Sequence, residues 1–330
     1  MTKMATVSYD PSNLSSFERE WNLHRGCSEW WYCTGIVRTA DDRIFTYQFT
    51  LVALGGVPII TPRILQVALT DMQTGEHHYL QDASITGRKA TLETDRLAYA
   101  DRFRLERSEE GMRITLHHKD FDVDVELEWG KGAFWHCDNG KLFMGTPGDE
   151  ENTTYYYSYP HMPTRGTLTL HGEREEVTGT TWFDKQGGNY SLTARETQWE
   201  WFSLRFDDGE EMMLFAFPHM DYVDGTYIRA DGTSERLNDY TLTTTRTIEH
   251  SGKTWSAAWD LHVPGRKDEH YTIKPVFEGN INLSYFEQLC TVTNAAGENV
   301  GFTFCELLPG VLNEEGNSGG SASMLKGVEY

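Results

Sequence analysis

The sequence predicts an all-β protein built from two antiparallel sheet domains. Apolar and polar residues alternate with a period of two through most of the chain, as is typical of half-buried strands. Turn-forming pairs such as Asp208-Gly209 and Asp231-Gly232 separate these segments. No segment carries a long helical stripe of apolar residues, so barrels or sandwiches are favoured over βαβ units.

The first half opens with an aromatic-rich strand, and Asp41-Asp42 predicts a turn that joins it to a second strand in a hairpin. A short helix is predicted before it over Pro11–Glu20, with Ser12 as the N-cap. The predicted strands of this half are Ser28–Arg38, Arg43–Leu54, Ile64–Met72, Glu76–Leu80, Phe103–Ser108, Met112–His118 and Asp122–Trp129.

The stretch Gly130–Asn152 is glycine-rich and lacks periodicity, which predicts a connection between domains 1–152 and 153–330. A chain of 330 residues agrees with two domains, because single cores stop growing near ~250–300 residues. The predicted strands of the second half are Thr153–Tyr159, Arg165–His171, Glu175–Asp184, Gln198–Asp207, Glu211–Pro218, Tyr222–Arg229, Tyr240–Glu249, Thr254–Val263, His270–Phe277, Tyr285–Asn294 and Asn299–Leu307.

The charge balance argues against several classes of partner. The chain has 29 basic and 50 acidic residues, and the resulting net charge of −21 repels phosphate backbones and anionic membrane surfaces. Nucleic acid is therefore not expected as a partner. Stable membrane insertion is not expected either, because the sequence has no run of ~18 apolar residues. Five cysteines without a C-x-x-C pair, and an N-terminus without an apolar segment, predict a cytoplasmic protein. We expect either a monomer or a homodimer.

No metal site is expected from the histidine pattern. His77-His78 and His117-His118 are adjacent pairs within predicted strands. Adjacent strand residues point to opposite faces, so neither pair can chelate one ion from one face.

The first candidate for chemistry is the strand Ser28–Gly35. Alternation places Glu29 and Trp31 on one face, and Trp30 and Tyr32 on the other. Burial beside an indole would raise the pKa of the Glu29 carboxyl and favour the neutral acid. The alternative is an exposed Glu29 at the start of a strand with ordinary core tryptophans.

The second candidate is Asp184, which follows Trp182 by two residues and so shares its face if the strand persists. A carboxyl next to an indole wall can stay protonated near neutral pH, as a proton donor requires. The alternative is that Asp184 caps a turn at Gly187-Gly188.

Two further aromatic clusters suit a pocket. Trp199 and Trp201 share a face of a predicted strand, and the run Tyr155–Tyr159 combines apolar rings with hydroxyls. The alternatives are core tryptophans in the first cluster and a plain sheet surface in the second.

These clusters, in this order, resemble the hydroxyneurosporene synthase (carotenoid 1,2-hydratase) and AttH-type lipocalin-like family. The resemblance covers roughly Trp21 to Leu308, and its most specific motifs are E-W-W-Y-C-T-G at Glu29–Gly35 and V-T-G-T-T-W-F-D at Val177–Asp184. It implies two lipocalin-like β-barrel or sandwich domains packed together and no cofactor. It also implies an apolar isoprenoid- or polyketide-like substrate, which family members hydrate or cyclise, in some cases by a Diels–Alder reaction.

The resemblance implies that Asp184 is the catalytic acid and that Glu29 lines the same pocket, and we predict both as catalytic residues. The expected substrate-binding residues are Trp31, Trp182, Trp201, Tyr157, Gln186, Trp199 and Tyr32. The family usually has tryptophan where this chain has Gly187, which predicts an enlarged pocket.

Three functions remain open from the sequence. The first is a hydratase or cyclase that protonates a C=C bond through Asp184. The second is a pericyclase that needs no proton donor, in which a tyrosine or Gln186 polarises a carbonyl. The third is a non-enzymatic carrier of a hydrophobic ligand.

Overall fold

The computed structural model describes residues 2–55, 61–191, 194–250, 253–277, 281–282 and 285–308. Strands dominate this part of the chain and form two large, curled antiparallel sheets, so the predicted all-β class is confirmed. Within these ranges, no helix has the length and apolar character needed to cross a membrane.

The first helix is shorter than predicted. Helix α1 spans Phe17–Glu20, and its N-cap is Ser16, whose hydroxyl accepts the backbone N–H of Arg19 at 3.1 Å. The predicted cap, Ser12, instead donates its hydroxyl to the carboxylate of Asp10 at 2.6 Å. The predicted cap was wrong because that competing local hydrogen bond engages Ser12 before the helix begins.

Among the residues that the structure describes, fifteen strands precede the short 3-10 turn at Arg195–Thr197. They are β1 (Thr6–Val7), β2 (Leu23–His24), β3 (Ser28–Arg38), β4 (Ile44–Ala53), β5 (Arg63–Asp71), β6 (His77–Ser84), β7 (Ala90–Glu93), β8 (Arg96–Tyr99), β9 (Phe103–Arg107), β10 (Gly111–His117), β11 (Phe121–Glu128), β12 (Phe134–Trp135), β13 (Lys141–Phe143), β14 (Thr153–Leu170) and β15 (Glu173–Asn189). The first large sheet has the order β6-β5-β4-β3-β15-β14-β11-β10-β9-β8-β7, and β1 pairs separately with β2.

Strands β14 and β15 run further than the sequence predicts. Strand β14 is continuous where two strands were predicted, because residues 164–170 pair with β11. Strand β15 continues past Asp184 because residues 178–188 pair with β3. These ladders make residues 154–189 part of one compact unit with residues 1–135, whereas the boundary predicted at residue 152 had put them in the second domain.

The second unit comprises residues 136–153 and the described chain from Tyr190 onward. Its sheet has the order β19-β18-β17-β16-β25-β24-β22-β21-β20. The strands are β16 (Trp199–Phe206), β17 (Glu211–Phe217), β18 (Tyr222–Ile228), β19 (Ser234–Arg236), β20 (Thr241–His250), β21 (Lys253–His262), β22 (His270–Pro275), β23 (Ile281–Asn282), β24 (Tyr285–Asn294) and β25 (Asn299–Leu308).

Each unit has its own hydrophobic core on one face of its sheet. In the first unit, Trp31 and Cys33 of β3 belong to this core, and in the second unit Phe202 and Leu204 of β16 do so. Each large apolar side chain buried in this way stabilises the fold by roughly 1.5–3 kcal/mol. One face of β3 therefore packs in the core, and the side chains on its other face are available to form a site.

Candidate functional site

The pairing of β3 with β15 decides which candidate residues can meet. Asp184 lies opposite Tyr32, and Lys185 lies opposite Trp31. Directly opposed residues of an antiparallel pair share a face, whereas consecutive residues alternate. The structure therefore separates Asp184 and Trp182 from Glu29 and Trp31, and the pocket that the sequence predicted from all four is divided between the two faces of the sheet.

On one face, three neutral groups donate hydrogen bonds to the carboxyl of Asp184. The indole N–H of Trp182 donates to Oδ1 at 2.5 Å, and the hydroxyl of Ser158 donates to the same oxygen. The hydroxyl of Tyr156 donates to Oδ2 at 2.9 Å. All four side chains are buried. The alternative role for Asp184, capping a turn, is wrong because β15 continues through Asn189.

This geometry determines where a proton on Asp184 would reside. An indole N–H can donate but cannot accept, so Oδ1 must act as an acceptor for Trp182. The proton of a neutral Asp184 would therefore lie on Oδ2, beside Tyr156. In general, burial favours the neutral form of a carboxyl, whereas hydrogen-bond donors favour the carboxylate.

Two other predicted residues share this face. Tyr32 is buried directly opposite Asp184. Gln186 lies two residues beyond Asp184 and donates its amide N–H to the hydroxyl of Thr154 at 3.0 Å. The structure thus brings together Asp184, Trp182, Tyr32 and Gln186.

On the opposite face, Glu29 is the centre of a buried ionic network. Its Oε2 accepts Nζ of Lys185 at 2.6 Å and the hydroxyl of Tyr155 at 2.5 Å. Its Oε1 accepts the backbone N–H of His24 at 2.7 Å. Nζ of Lys185 also lies 4.0 Å from the centroid of the Trp31 ring, so the indole contributes a cation–π contact.

The predicted protonation state of Glu29 was wrong. Burial by itself raises the pKa of this carboxyl, but the charge of Lys185 and the hydrogen bonds from His24 and Lys185 outweigh it and lower the pKa to about 2. Burial also lowers the pKa of Lys185, while Glu29 opposes that change. Glu29 is therefore an ionised partner of a buried lysine rather than a proton donor.

The remaining candidates of the first unit lie in its core. Trp31 and Tyr157 are both buried members of the hydrophobic cluster. The Tyr157 hydroxyl donates to the backbone oxygen of Phe17 at 3.2 Å. Alternation along β14 instead directs its neighbours Tyr156 and Ser158 to Asp184. The tyrosine run was noticed in the sequence, but only the pairing of β14 could show which of its members meet the carboxyl.

Gly187 does not enlarge a pocket. It lies opposite Glu29, on the face away from Asp184. A Cβ atom at position 187 would come within 2.1 Å of Cβ of Glu29 and 2.7 Å of its Cα. The place of the missing side chain is therefore occupied by Glu29.

The second unit contains a separate carboxyl pair that the sequence analysis did not identify as a site. Glu306 lies opposite Trp201 on one side and Glu287 on the other. The indole N–H of Trp199 donates to Oε1 of Glu306 at 2.9 Å. Trp199 and Trp201 are thus buried beside an acidic pair, on the face of β16 opposite to its core residues Phe202 and Leu204.

Glu306 holds its proton to a higher pH than an exposed glutamate does. Burial raises its pKa to about 7, although hydrogen bonds with Trp199 and Glu287 oppose the increase. Two carboxyls can hydrogen bond to each other only when one of them holds a proton. A sequence signal existed, because alternation along Phe304-Cys305-Glu306-Leu307-Leu308 puts this glutamate on a face with Phe304 and Leu308.

These features define an all-β, lipocalin-like protein with buried acidic side chains beside aromatic rings. A family model described as AttH-like matches residues 8–310, and the chain belongs to this family. No curated protein matches the sequence.

Solved structures share the fold. One described as an AttH from Nitrosomonas europaea has a TM-score of 0.79 and 22% identity, covering 92% of this chain and 99% of that one. Kievitone hydratase from Nectria haematococca has a TM-score of 0.68 and 18% identity, covering 85% and 88%. CghA, solved with Sch210972, has a TM-score of 0.52 and 8% identity, covering 88% and 90%.

Proposed function

We propose that the protein is a cofactor-independent hydratase or cyclase that protonates a C=C bond of an apolar, isoprenoid- or polyketide-like substrate. The observation that carries this proposal is the buried Asp184 carboxyl beside the Trp182 indole, where Oδ1 accepts two hydrogen bonds and Oδ2 contacts only the Tyr156 hydroxyl among the contacts described above, so Oδ2 is the oxygen that would hold the proton. The fold shared with kievitone hydratase, a hydratase by name, supports water addition as the first reaction to test.

In the proposed first step, neutral Asp184 transfers its proton from Oδ2 to the less substituted alkene carbon. The O–H bond breaks, a C–H bond forms, and positive charge develops on the more substituted carbon. The rings of Trp182 and Tyr32 share the face of Asp184, and each could stabilise such a cation by ~0.5–2 kcal/mol. Trp31 takes no part, because its ring lies on the other face beside Lys185.

In the second step, water adds to the cation and returns one proton to the Asp184 carboxylate. The net change is the addition of one water molecule, and the acid is regenerated. When an internal alkene captures the cation, a ring closes, and loss of a proton to Asp184 gives an isomer of the substrate. Trp182, Ser158 and Tyr156 stabilise the carboxylate formed between the two steps, because all three donate hydrogen bonds to it.

The first experiment compares Asp184→Asn with the wild-type protein. Both are incubated with an apolar cell extract, and untargeted mass spectrometry records compounds that gain one water or change into an isomer. The matched control is Glu176→Gln, which makes the same kind of change at an exposed position of the same strand. We expect turnover by the wild type and the control and loss of it in Asp184→Asn, with unchanged circular dichroism. Normal turnover by Asp184→Asn would remove the acid role.

The second experiment repeats the reaction in D₂O. Protonation of an alkene by Asp184 places deuterium on carbon, because the carboxyl proton exchanges with solvent. A pericyclic closure gives an isomer without deuterium on carbon, and this result would favour the pericyclase over the proposed acid. Recovery of a bound but unchanged compound, equally from Asp184→Asn, would favour a carrier.

A further inference from the structure

Three histidines and two carboxylates converge at one place in the first unit. Glu76 and His78 lie at the start of β6, His118 and Asp120 lie in the turn between β10 and β11, and His171 lies in the turn between β14 and β15. Strand β6 is the first strand in the order of the sheet, so the sheet curls until this strand contacts turns between strands further along that order.

Three donor atoms of this cluster face one another. Oε1 of Glu76 lies 2.9 Å from Nε2 of His78 and 2.6 Å from Nε2 of His171. The ligand atoms of these three residues all lie within 4.8 Å of one another. Ligands of a tetrahedral zinc ion, at about 2.0–2.1 Å from the metal, are spaced by roughly 3.3 Å, so a small outward movement of the side chains would admit the ion.

The surrounding groups support this ligand set. Nδ1 of His78 lies 3.6 Å from Oδ2 of Asp120. When a histidine binds a metal through one ring nitrogen, the other nitrogen usually donates its N–H to a carboxylate, which fixes the tautomer. His118 also lies beside Asp120, but its Nδ1 already accepts the backbone N–H of that residue at 3.3 Å. His78, His118 and Asp120 also have ligand atoms within 4.8 Å of one another. We assign the ion to the group with His171, because there both imidazoles present Nε2 to the same carboxylate oxygen.

The backbone presents the ligands to solvent. His171 has a φ of 51°, a left-handed conformation that places its exposed side chain at the tip of the turn. His78 is mostly buried, whereas Glu76 is partly exposed. An ion could thus enter from the side of His171 without opening the core.

The adjacent histidines do not join the cluster. His77 contacts the Thr70 hydroxyl at 2.8 Å, and His117 contacts Asp122. The expectation from the sequence concerned each adjacent pair alone. It did not consider one histidine of a pair combining with residues from another strand and a distant turn.

We propose that Glu76, His78 and His171 form a binding site for a divalent transition-metal ion, with Zn²⁺ as its occupant and Asp120 as the positioning residue. Two imidazoles and one carboxylate form a donor set that Zn²⁺ commonly takes, with water completing the tetrahedron. Each Nε2 atom must bind the ion through its lone pair and so cannot carry a proton. Uptake of the ion therefore shifts that proton to Nδ1 or releases it to solvent. By binding residues at the start of β6 and in the turn between β14 and β15, the ion stabilises the contact between these two parts of the curled sheet.

This site is separate from the Asp184 cluster. His171 lies in the turn that leads into β15, and Asp184 lies thirteen residues further along the chain. This separation corresponds to roughly 40 Å of extended strand. The bound ion therefore stabilises the fold of the first unit and takes no part in the proton transfer proposed above.

The test is a titration of the full chain with Zn²⁺, free of any affinity tag, by isothermal titration calorimetry. A group outside this cluster, formed by His262, Glu269 and His270, could also take up zinc. The background protein for the titration therefore carries His262→Ala and His270→Ala. We expect one Zn²⁺ per chain, and with Co²⁺ the visible absorption of a four-coordinate site.

Single changes in this background then identify the ligands. We expect His78→Ala and His171→Asn to weaken Zn²⁺ binding at least tenfold, since each removes one ligand. Asparagine is chosen at position 171 because it tolerates a positive φ. Asp120→Asn should weaken binding roughly 10- to 100-fold by releasing His78 from its second hydrogen bond. The control His117→Ala should leave the affinity unchanged.

Thermal unfolding provides a readout that is independent of calorimetry. Zn²⁺ should raise the Tm of the background protein and of His117→Ala, and it should have little effect on His78→Ala or His171→Asn. Circular dichroism confirms that each variant is folded before it is compared. No zinc uptake by the background protein, or equal uptake by His78→Ala and His171→Asn, would overturn the proposal and leave the cluster as a hydrogen-bonded group.

Discussion

Nζ of Lys185 lies 2.6 Å from Oε2 of Glu29, at a point where both side chains are shielded from solvent. The two residues come from β3 and β15, far apart in the chain, and Trp31 lies against the ammonium group. An isolated buried charge destabilises a fold, because it loses its hydration. Each residue of the pair offsets this penalty for the other by supplying the opposite charge. The predictions below begin with this pair.

Replacing Glu29 with glutamine should destabilise the protein by about 3–5 kcal/mol, because Lys185 is left as a buried charge without its partner. The measurement is the free energy of unfolding from urea titrations. The double variant Glu29→Gln/Lys185→Met should recover much of the loss, because it removes both charges. Equal stabilities of Glu29→Gln and the wild type would contradict the role assigned to the pair.

Restoring a side chain at position 187 should destabilise the fold rather than reshape a pocket. A Cβ atom there would overlap Cβ of Glu29, so even Gly187→Ala should separate β15 from β3 locally. We expect a loss of a few kcal/mol for Gly187→Ala, in the range of overpacked cores, and a larger loss for Gly187→Trp. Gly232→Ala is the control: no heavy atom lies within 4 Å of its added Cβ, and its cost comes from the positive φ of 83°. A stable Gly187→Trp protein would show that Glu29 can move aside.

The carboxyl of Glu306 should make stability depend on pH. Its pKa is about 7 in the folded chain against an ordinary value of 4.5, so the folded state holds a proton that the unfolded state releases. The free energy of unfolding should therefore fall as the pH rises from 4.5 to about 7 and level off above that.

Glu306→Gln should remove this part of the pH dependence, since glutamine can still accept the indole N–H of Trp199 but does not ionise. The measurement is a set of urea titrations of both proteins across the same pH interval. The wild type should lose stability relative to the variant as the pH rises. If the difference in the free energy of unfolding between the two proteins did not change with pH, the proton would reside elsewhere, for example on Glu287.

Tyr156→Phe should move the pH–rate profile of the proposed reaction. The Tyr156 hydroxyl stabilises the carboxylate of Asp184, so its removal should raise the pKa of that group. Activity requires the neutral acid and is lost as the pH rises through this pKa. The basic limb of kcat should therefore move to higher pH in Tyr156→Phe, and a control change in the core tyrosine, Tyr157→Phe, should leave it in place.

Alternation along single strands could be predicted from the sequence. It correctly placed Asp184 on the same face as Trp182, and Glu29 on the same face as Trp31. The choice between the neutral and the ionised Glu29 was not readable, because it depends on Lys185, which lies 156 residues away. The same limit applied to His78 and His171, whose meeting requires the sheet to curl. In each case the deciding contact is between residues distant in the chain.

The sequence by itself determined the all-β class, most of the strands and the AttH-like family, and it put forward Asp184 as the proposed acid. These depend on local periodicity and on short motifs, which a single strand carries within itself. The tertiary structure alone decided the register of β3 with β15, and with it the face on which each residue lies. Since a shift of one residue would exchange the two faces, the register of β15 with β3 is the physical reason that Glu29 and Trp31 lie away from Asp184. The neighbouring strand β14 brings Tyr156 and Ser158 to the carboxyl instead.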